Sequence, residues 1–230
     1  MTPSWRTGEP LSAATHRFDL QVARHLWRWA IERGHALTNP WQAVEPAGRV
    51  NRGKLVLRPV EAKAFATAAE AAASDGDVVA LAALLCLSLG LRAGEALIVT
   101  PRDVDGGEIF ITGTKTASAR RRLKLSPVLQ QLLAQACRGR GRTERICTAS
   151  RQALFREVTR LCERACIPAV GIHALRGTNA SLGIESGASL EAVARALGHS
   201  SPRITRAHYV SDEAADAARL ATFEATLNPS

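Results

Sequence analysis

The chain has one tyrosine, Tyr209, and His173, Arg176 and His199 precede it within 37 residues. A phenol with a pKa of about 10 is a weak nucleophile at neutral pH, and it needs a base or cationic surroundings to lose its proton. Arginine stays charged, and its planar fork fits the non-bridging oxygens of a phosphate. The group therefore suits nucleophilic attack on a phosphate ester. Each member alone has a plainer reading. His173 and Arg176 are three apart and share a helix face, where such a pair is often structural. His199, after Gly198, reads as a cap or a packed ring, and Tyr209 as a core or surface phenol. Arg92, in Gly90-Leu-Arg-Ala-Gly-Glu, can simply pair with Glu95. Lys115 can be a solvated loop lysine.

The elements that would position these residues are mostly helices. Phe18, Val22, Leu26, Trp29 and Ala30 recur at helical spacing from about Thr15 to Arg33, and Gly34 can stop that helix. Pro59 opens a helix to about Ala73. The run Asp77–Leu89 is apolar on every side and reads as a core helix, shorter than the ~20 residues of a membrane span. A bend and a short helix follow at Gly90–Leu97. Glu108–Thr112 and Arg121–Leu125 read as a β-hairpin or part of a small sheet, with turn-like residues 113–119 between them. Ser126-Pro127 and Ser150 start helices running to about Cys137 and Cys166. Further helices are expected at roughly 173–186, 190–197, 202–209 and 212–226. The expected class is mainly α with a small antiparallel sheet. The expected divisions are a short helical segment over 1–48, a linker over 49–58 and a main domain over 59–230.

Composition narrows the partners. The formal charge is +9 and 46% of residues are apolar, which suits a folded domain that meets a polyanion. The charge is local: residues 115–164 hold 13 Lys/Arg against three acids, whereas residues 211–230 hold four acids and one Arg. Within the basic stretch, Arg120, Arg121, Arg122 and Lys124 on the hairpin, and Arg138, Arg140 and Arg142 in a loop, read as phosphate contacts that position a nucleic acid. Lys124 lies between Leu123 and Leu125, so strand alternation turns it to the other face. Five cysteines without a C-x-x-C pair argue for a reducing compartment, here the cytoplasm. Cys162 and Cys166 are four apart with His173 beyond, but a fourth ligand is missing, so no metal is expected there; no cofactor is expected elsewhere. No signal peptide is visible in the first ten residues.

Taken in order, these motifs resemble the tyrosine recombinase, or phage integrase, family over roughly residues 59–230. Gly90-Leu-Arg-Ala-Gly-Glu-Ala-Leu is similar to the family's first arginine motif, with Glu95 in its acidic position. Thr114-Lys-Thr followed by Arg121-Arg-Leu-Lys-Leu-Ser is similar to the hairpin that bears its catalytic lysine. His173-Ala-Leu-Arg is its H-x-x-R motif, and Leu197-Gly-His-Ser-Ser followed by Tyr209 its closing box. The resemblance implies that Tyr209 forms a 3′-phosphotyrosine on DNA, that Arg92 and Arg176 hold the non-bridging oxygens, and that His173 assists proton transfer. It further implies that His199 bonds the phosphate and that Lys115, with Lys124 as the alternative, protonates the leaving 5′-oxygen. No metal or ATP is then needed.

The implied partners are double-stranded DNA and, through helix 212–226, three further copies in a tetramer, with accessory DNA-bending proteins left open. Two departures stand out. Gly177 follows Arg176 where the family often has His or another polar residue, and the N-terminal part resembles only the last helix of a core-binding domain. The alternatives are a catalytically silent DNA-binding remnant and a relaxing activity like that of type IB topoisomerases.

Overall fold

The computed structural model describes residues 12–47, 56–112 and 120–198. The chain divides into two compact units, Met1–Gly53 and Lys54–Ser230.

In the first unit, α1 spans Ala13–Glu32. Ser12 caps it by accepting the Thr15 N–H at 3.1 Å, and Gly34 ends it at φ +73°. The following turn is held back against α1 by Arg24, whose guanidinium donates to the carbonyls of Trp41, Gln42 and Val44 at 2.9, 3.3 and 2.6 Å. Phe18, Val22, Leu26 and Trp29 form an exposed apolar face on this helix.

The second unit is built around α3 (Val78–Ser88), in which every residue from Ala80 to Leu87 is buried. A helix apolar on all sides needs cover all round. It receives it from α2 (Pro59–Ser74), α6 (Arg151–Arg164) and α7 (Ile172–Glu185). Asp77 starts α3 by accepting two backbone N–H bonds, from Val79 at 2.9 Å and Ala80 at 3.0 Å. Leu57, within the expected linker, is buried, and its N–H donates to Thr178 Oγ1 at 2.9 Å.

The short α4 (Ala93–Ala96) leads into a three-stranded antiparallel sheet in the order β1 (Val104–Asp105), β2 (Glu108–Ile111), β3 (Arg121–Lys124). Gly106 and Gly107, at φ +55° and +80°, make the tight β1–β2 turn that such positive angles allow. β1 is an element that the hairpin reading did not specify. It is two residues long, too short to show any alternation. β2 and β3 pair from Glu108↔Lys124 to Ile111↔Arg121. Then come α5 (Pro127–Cys137), capped by Ser126, and α6, capped by Ser150. α8 (Leu190–Leu197), capped by Ser189, packs on α7 around Ala180, Ile184, Val193 and Leu197. The expected helices at 202–209 and 212–226, and the residues Lys115, His199 and Tyr209, lie outside the described residues.

Candidate active site

The site is assembled at the C-terminal end of α8. Helices leave their last carbonyls without intrahelical partners, and that end carries partial negative charge. Here three successive carbonyls are met by three arginines from different elements. Arg121 Nε donates to Ala196 O at 2.7 Å, Arg176 Nη2 to Leu197 O at 2.7 Å and Arg92 Nη2 to Gly198 O at 3.2 Å. Gly198 closes the helix in the left-handed conformation at φ +66°. The residue after it in the chain is His199.

Arg92 is the N-cap of α4. Its backbone N–H donates to Glu95 Oε2 at 2.9 Å and its Nη1 to Glu95 Oε1 at 2.7 Å. The local pairing anticipated for Arg92 is therefore present, and it coexists with the reach to Gly198. The Arg92 side chain keeps 39% exposure against 7% for Glu95, so its guanidinium still faces outward.

Arg176 lies in the second turn of α7 and is 3% exposed. Besides Leu197 O it donates from Nη1 to Gly90 O at 2.5 Å. His173, one turn earlier, is exposed. Arg92 and His173 line the same cavity of about 710 Å³, together with Gly94, Arg151, Phe155 and Arg156. Arg151 and Arg156 were not singled out by sequence reasoning. The available signal was the Ser150 cap, which puts Arg151 in the first turn of α6 with Phe155 and Arg156 one turn on.

The remaining basic candidates divide. Arg120, Arg122, Lys124, Arg138 and Arg142 are exposed. Arg122 lies 6.0 Å from the Phe110 ring and 3.9 Å from Glu108. Arg121 is not on the outer surface with them. Its side chain is 5% exposed and grips both carboxylate oxygens of Glu95, at 2.9 and 3.3 Å. It shares the inward face of β3 with Leu123, so the alternation that turned Lys124 outward turns Arg121 inward. Arg140 also departs from a simple phosphate contact. Its Nε donates to Ala136 O at 2.9 Å, satisfying the end of α5, and its Nη1 pairs with Glu144 at 3.2 Å.

Burial alone would push the Glu95 carboxyl upward. The bonds from Arg121 and from the Arg92 backbone, with the charge of Arg121, outweigh it and hold the group below the ordinary carboxylate value. Glu95 is therefore an anion that fixes two guanidinium groups. Among the described residues no cluster of His, Cys, Asp or Glu could hold a metal ion.

The phage integrase family model matches residues 56–215. The chain belongs to the phage integrase family. Solved structures of other integrases share its fold, mostly helical with a small three-stranded sheet. A Tn1549 transposon integrase in complex with transposon right end DNA matches with a TM-score of 0.73 at 19% identity, covering 93% of this chain and 80% of that one. A lambda integrase dimer bound to a core site matches with a TM-score of 0.66 at 22% identity, covering 86% and 59%. XerA recombinase matches with a TM-score of 0.59 at 20% identity, covering 81% and 68%. This chain thus spans little more than half of the lambda integrase chain it overlays. No curated protein matches it. Integrase membership supports site-specific DNA recombination as the activity. No described helix is long and apolar enough to cross a membrane.

Proposed function

We propose that this integrase cuts and rejoins double-stranded DNA through a 3′-phosphotyrosine at Tyr209, without metal or ATP. The observation that carries the reading is the convergence of Arg92 and Arg176, from α4 and α7, on the adjacent carbonyls Gly198 and Leu197. Two guanidinium groups distant in sequence meet directly before the segment that contains His199 and Tyr209, and His173 stands one turn before Arg176 on α7.

In the proposed reaction the Tyr209 oxygen attacks the phosphorus, the new O–P bond forms and the bond to O5′ breaks. His173 takes part in proton transfer from the phenol, and Lys115 gives a proton to the departing 5′-oxygen. Arginine cannot serve as that acid, because it does not release its proton. The transition state spreads negative charge over the non-bridging oxygens, where Arg92, Arg176 and His199 donate hydrogen bonds. The phosphotyrosine keeps the bond energy, so a 5′-hydroxyl reverses the step and rejoins the strand. Arg120, Arg122, Lys124, Arg138 and Arg142 supply contacts to the DNA backbone that carry no sequence information. Solved integrases include a dimer on a core site and a tetramer on a Holliday junction, which supports a DNA-bound tetramer; that it is joined through 212–226 is part of the proposal.

The second reading is a catalytically silent DNA-binding remnant. The burial of Arg176, with two of its nitrogens on backbone carbonyls, favours it as a purely structural clamp. A nicked suicide substrate separates the two. The proposal expects a covalent protein–DNA adduct in EDTA without ATP, lost in Tyr209→Phe while the gel shift remains. A wild-type protein that shifts DNA and never forms an adduct selects the silent binder.

A further inference from the structure

We infer that Arg121 is a positioning residue for strand cleavage, acting on the end of α8 from which the chain continues to His199 and Tyr209. The inference rests on the phosphotyrosine reading above. Arg121 touches neither the cavity nor the outer surface. Its three-way grip is what gives it this role: Nε on Ala196 O at 2.7 Å, Nη2 on Glu95 Oε2 at 2.9 Å and Nη1 on Glu95 Oε1 at 3.3 Å. Glu95 in turn holds Arg92 by side chain and backbone. One guanidinium therefore sets the distance between Arg92, a proposed phosphate ligand, and the helix end that precedes the proposed nucleophile.

Packing alone does not supply this. α8 buries Val193, Ala194 and Leu197, but apolar contact is non-directional and leaves a helix free to slide or rotate by fractions of an ångström. Directed bonds to the last carbonyls remove that freedom. Displacing a reacting group by about 1 Å costs on the order of 100-fold in rate. Arg121 also begins β3, the strand on the far side of residues 113–119, which contain Lys115. Among the described residues, its bonds go to α8 and to Glu95. These bonds assign its effect to the nucleophile side of the reaction, and the variant below tests that against an effect on the leaving-group acid.

Arg121→Lys is the informative variant, because Arg121→Ala would leave Glu95 buried without its principal partner. Lysine keeps the charge but cannot reproduce a fork on two carboxylate oxygens and a carbonyl together. Adduct formation on a nicked duplex is measured at saturating protein, with gel-shift affinity alongside. A second nicked duplex carries sulfur in place of the bridging 5′-oxygen. Its thiolate leaves without an acid, so it restores Lys115→Met if Lys115 is the acid.

For Arg121→Lys the expected results are affinity within about threefold of wild type, an adduct rate lower by roughly 100-fold and no recovery on the sulfur substrate. Backbone hydrogen exchange should rise in the last turn of α8. Recovery on the sulfur substrate overturns the assignment, since the effect would then pass through the acid. A loss of affinity equal to the loss of rate shows a merely structural residue. An unchanged rate with unchanged exchange also overturns it. Failure of the underlying reading looks different, because wild type would then form no adduct on either substrate and the positioning role would fall with it.

Discussion

Gly90 offers its carbonyl oxygen to Arg176 across 86 positions of sequence, Nη1 to O at 2.5 Å. The contact depends on backbone that only glycine adopts readily. Gly90 sits at φ +62°, and a Cβ there would lie 2.5 Å from Leu197 Cδ2 and 2.8 Å from Asn179 Oδ1. The same residue thus turns the chain out of α3, lets α7 and α8 approach and points a carbonyl at a proposed catalytic guanidinium.

Gly90→Ala should therefore destabilise the fold, through left-handed backbone strain together with overpacking, by about 2–3 kcal/mol. Scanning calorimetry should find Tm lower by roughly 5–10 °C. A shift within error would mean that Leu197 and Asn179 give way at no cost, and that the close approach is not a constraint.

Glu95 sets an acid limit on stability. Its folded pKa lies below the ordinary 4.5, so its contribution is fully present above that value and is lost as pH falls through the folded pKa. Glu95→Gln lacks the contribution at every pH. Breaking one partner of a buried pair costs roughly 3–5 kcal/mol, so urea midpoints should differ widely at pH 7 and draw together toward pH 3. A gap constant across that range would show that the Glu95 charge does not stabilise the cluster.

The thiols should separate by burial. Cys86, enclosed in α3, is pushed up to about 12 by burial first and the Glu95 charge second. The neutral thiol therefore favours folding below the ordinary 9.0, and that advantage is lost as pH rises through the folded value. Cys147 and Cys162 are also buried and shifted upward by desolvation, whereas Cys166 is exposed. The thiolate is the reactive form. At pH 8 a disulfide reagent should label Cys166 fast and Cys86 only on unfolding, which mass spectrometry of timed digests can read.

Cys166 carries a second prediction. It is the one described non-glycine residue at positive φ, +52°, where it ends α6 with bonds from Cys166 N–H to Glu163 O and from Ile167 N–H to Cys162 O. That arrangement favours glycine. Cys166→Gly should stabilise the protein by about 1 kcal/mol, and its calorimetric Tm should rise by roughly 2–4 °C. A fall in Tm would show that the thiol contributes more than the strain removes.

How legible each part was follows from how local its physics is. The starts of α5 and α6 were visible because Ser126 and Ser150 bond N–H groups three residues on. The core role of α3 was visible because no polar residue interrupts it. Arg92, His173 and Arg176 were singled out by type and spacing, and the structure brings Arg92 and His173 to one cavity and Arg92 and Arg176 to one helix end. The Glu95–Arg121 pair was not foreseen, since its members are 26 positions apart. Strand alternation groups Arg121 with Leu123 on the inward face, but only the tertiary packing brings Glu95 to it. The links to Ala196, Leu197 and Gly198 were hidden for a further reason: backbone carbonyls carry no sequence identity.

The ordering of those links along the chain bears on synthesis. Arg92 and Arg121 precede their carbonyl partners on α8 by 106 and 75 positions. At roughly 5–20 residues per second, a growing chain carries both arginines for several seconds before Ala196 is made. Glu95 lies upstream of Arg121, so the acid that pairs with both is already present. The pairing of Arg92, Glu95 and Arg121 needs nothing from α8, whereas the bonds of both arginines to Ala196 and Gly198 can form only after α8 is made.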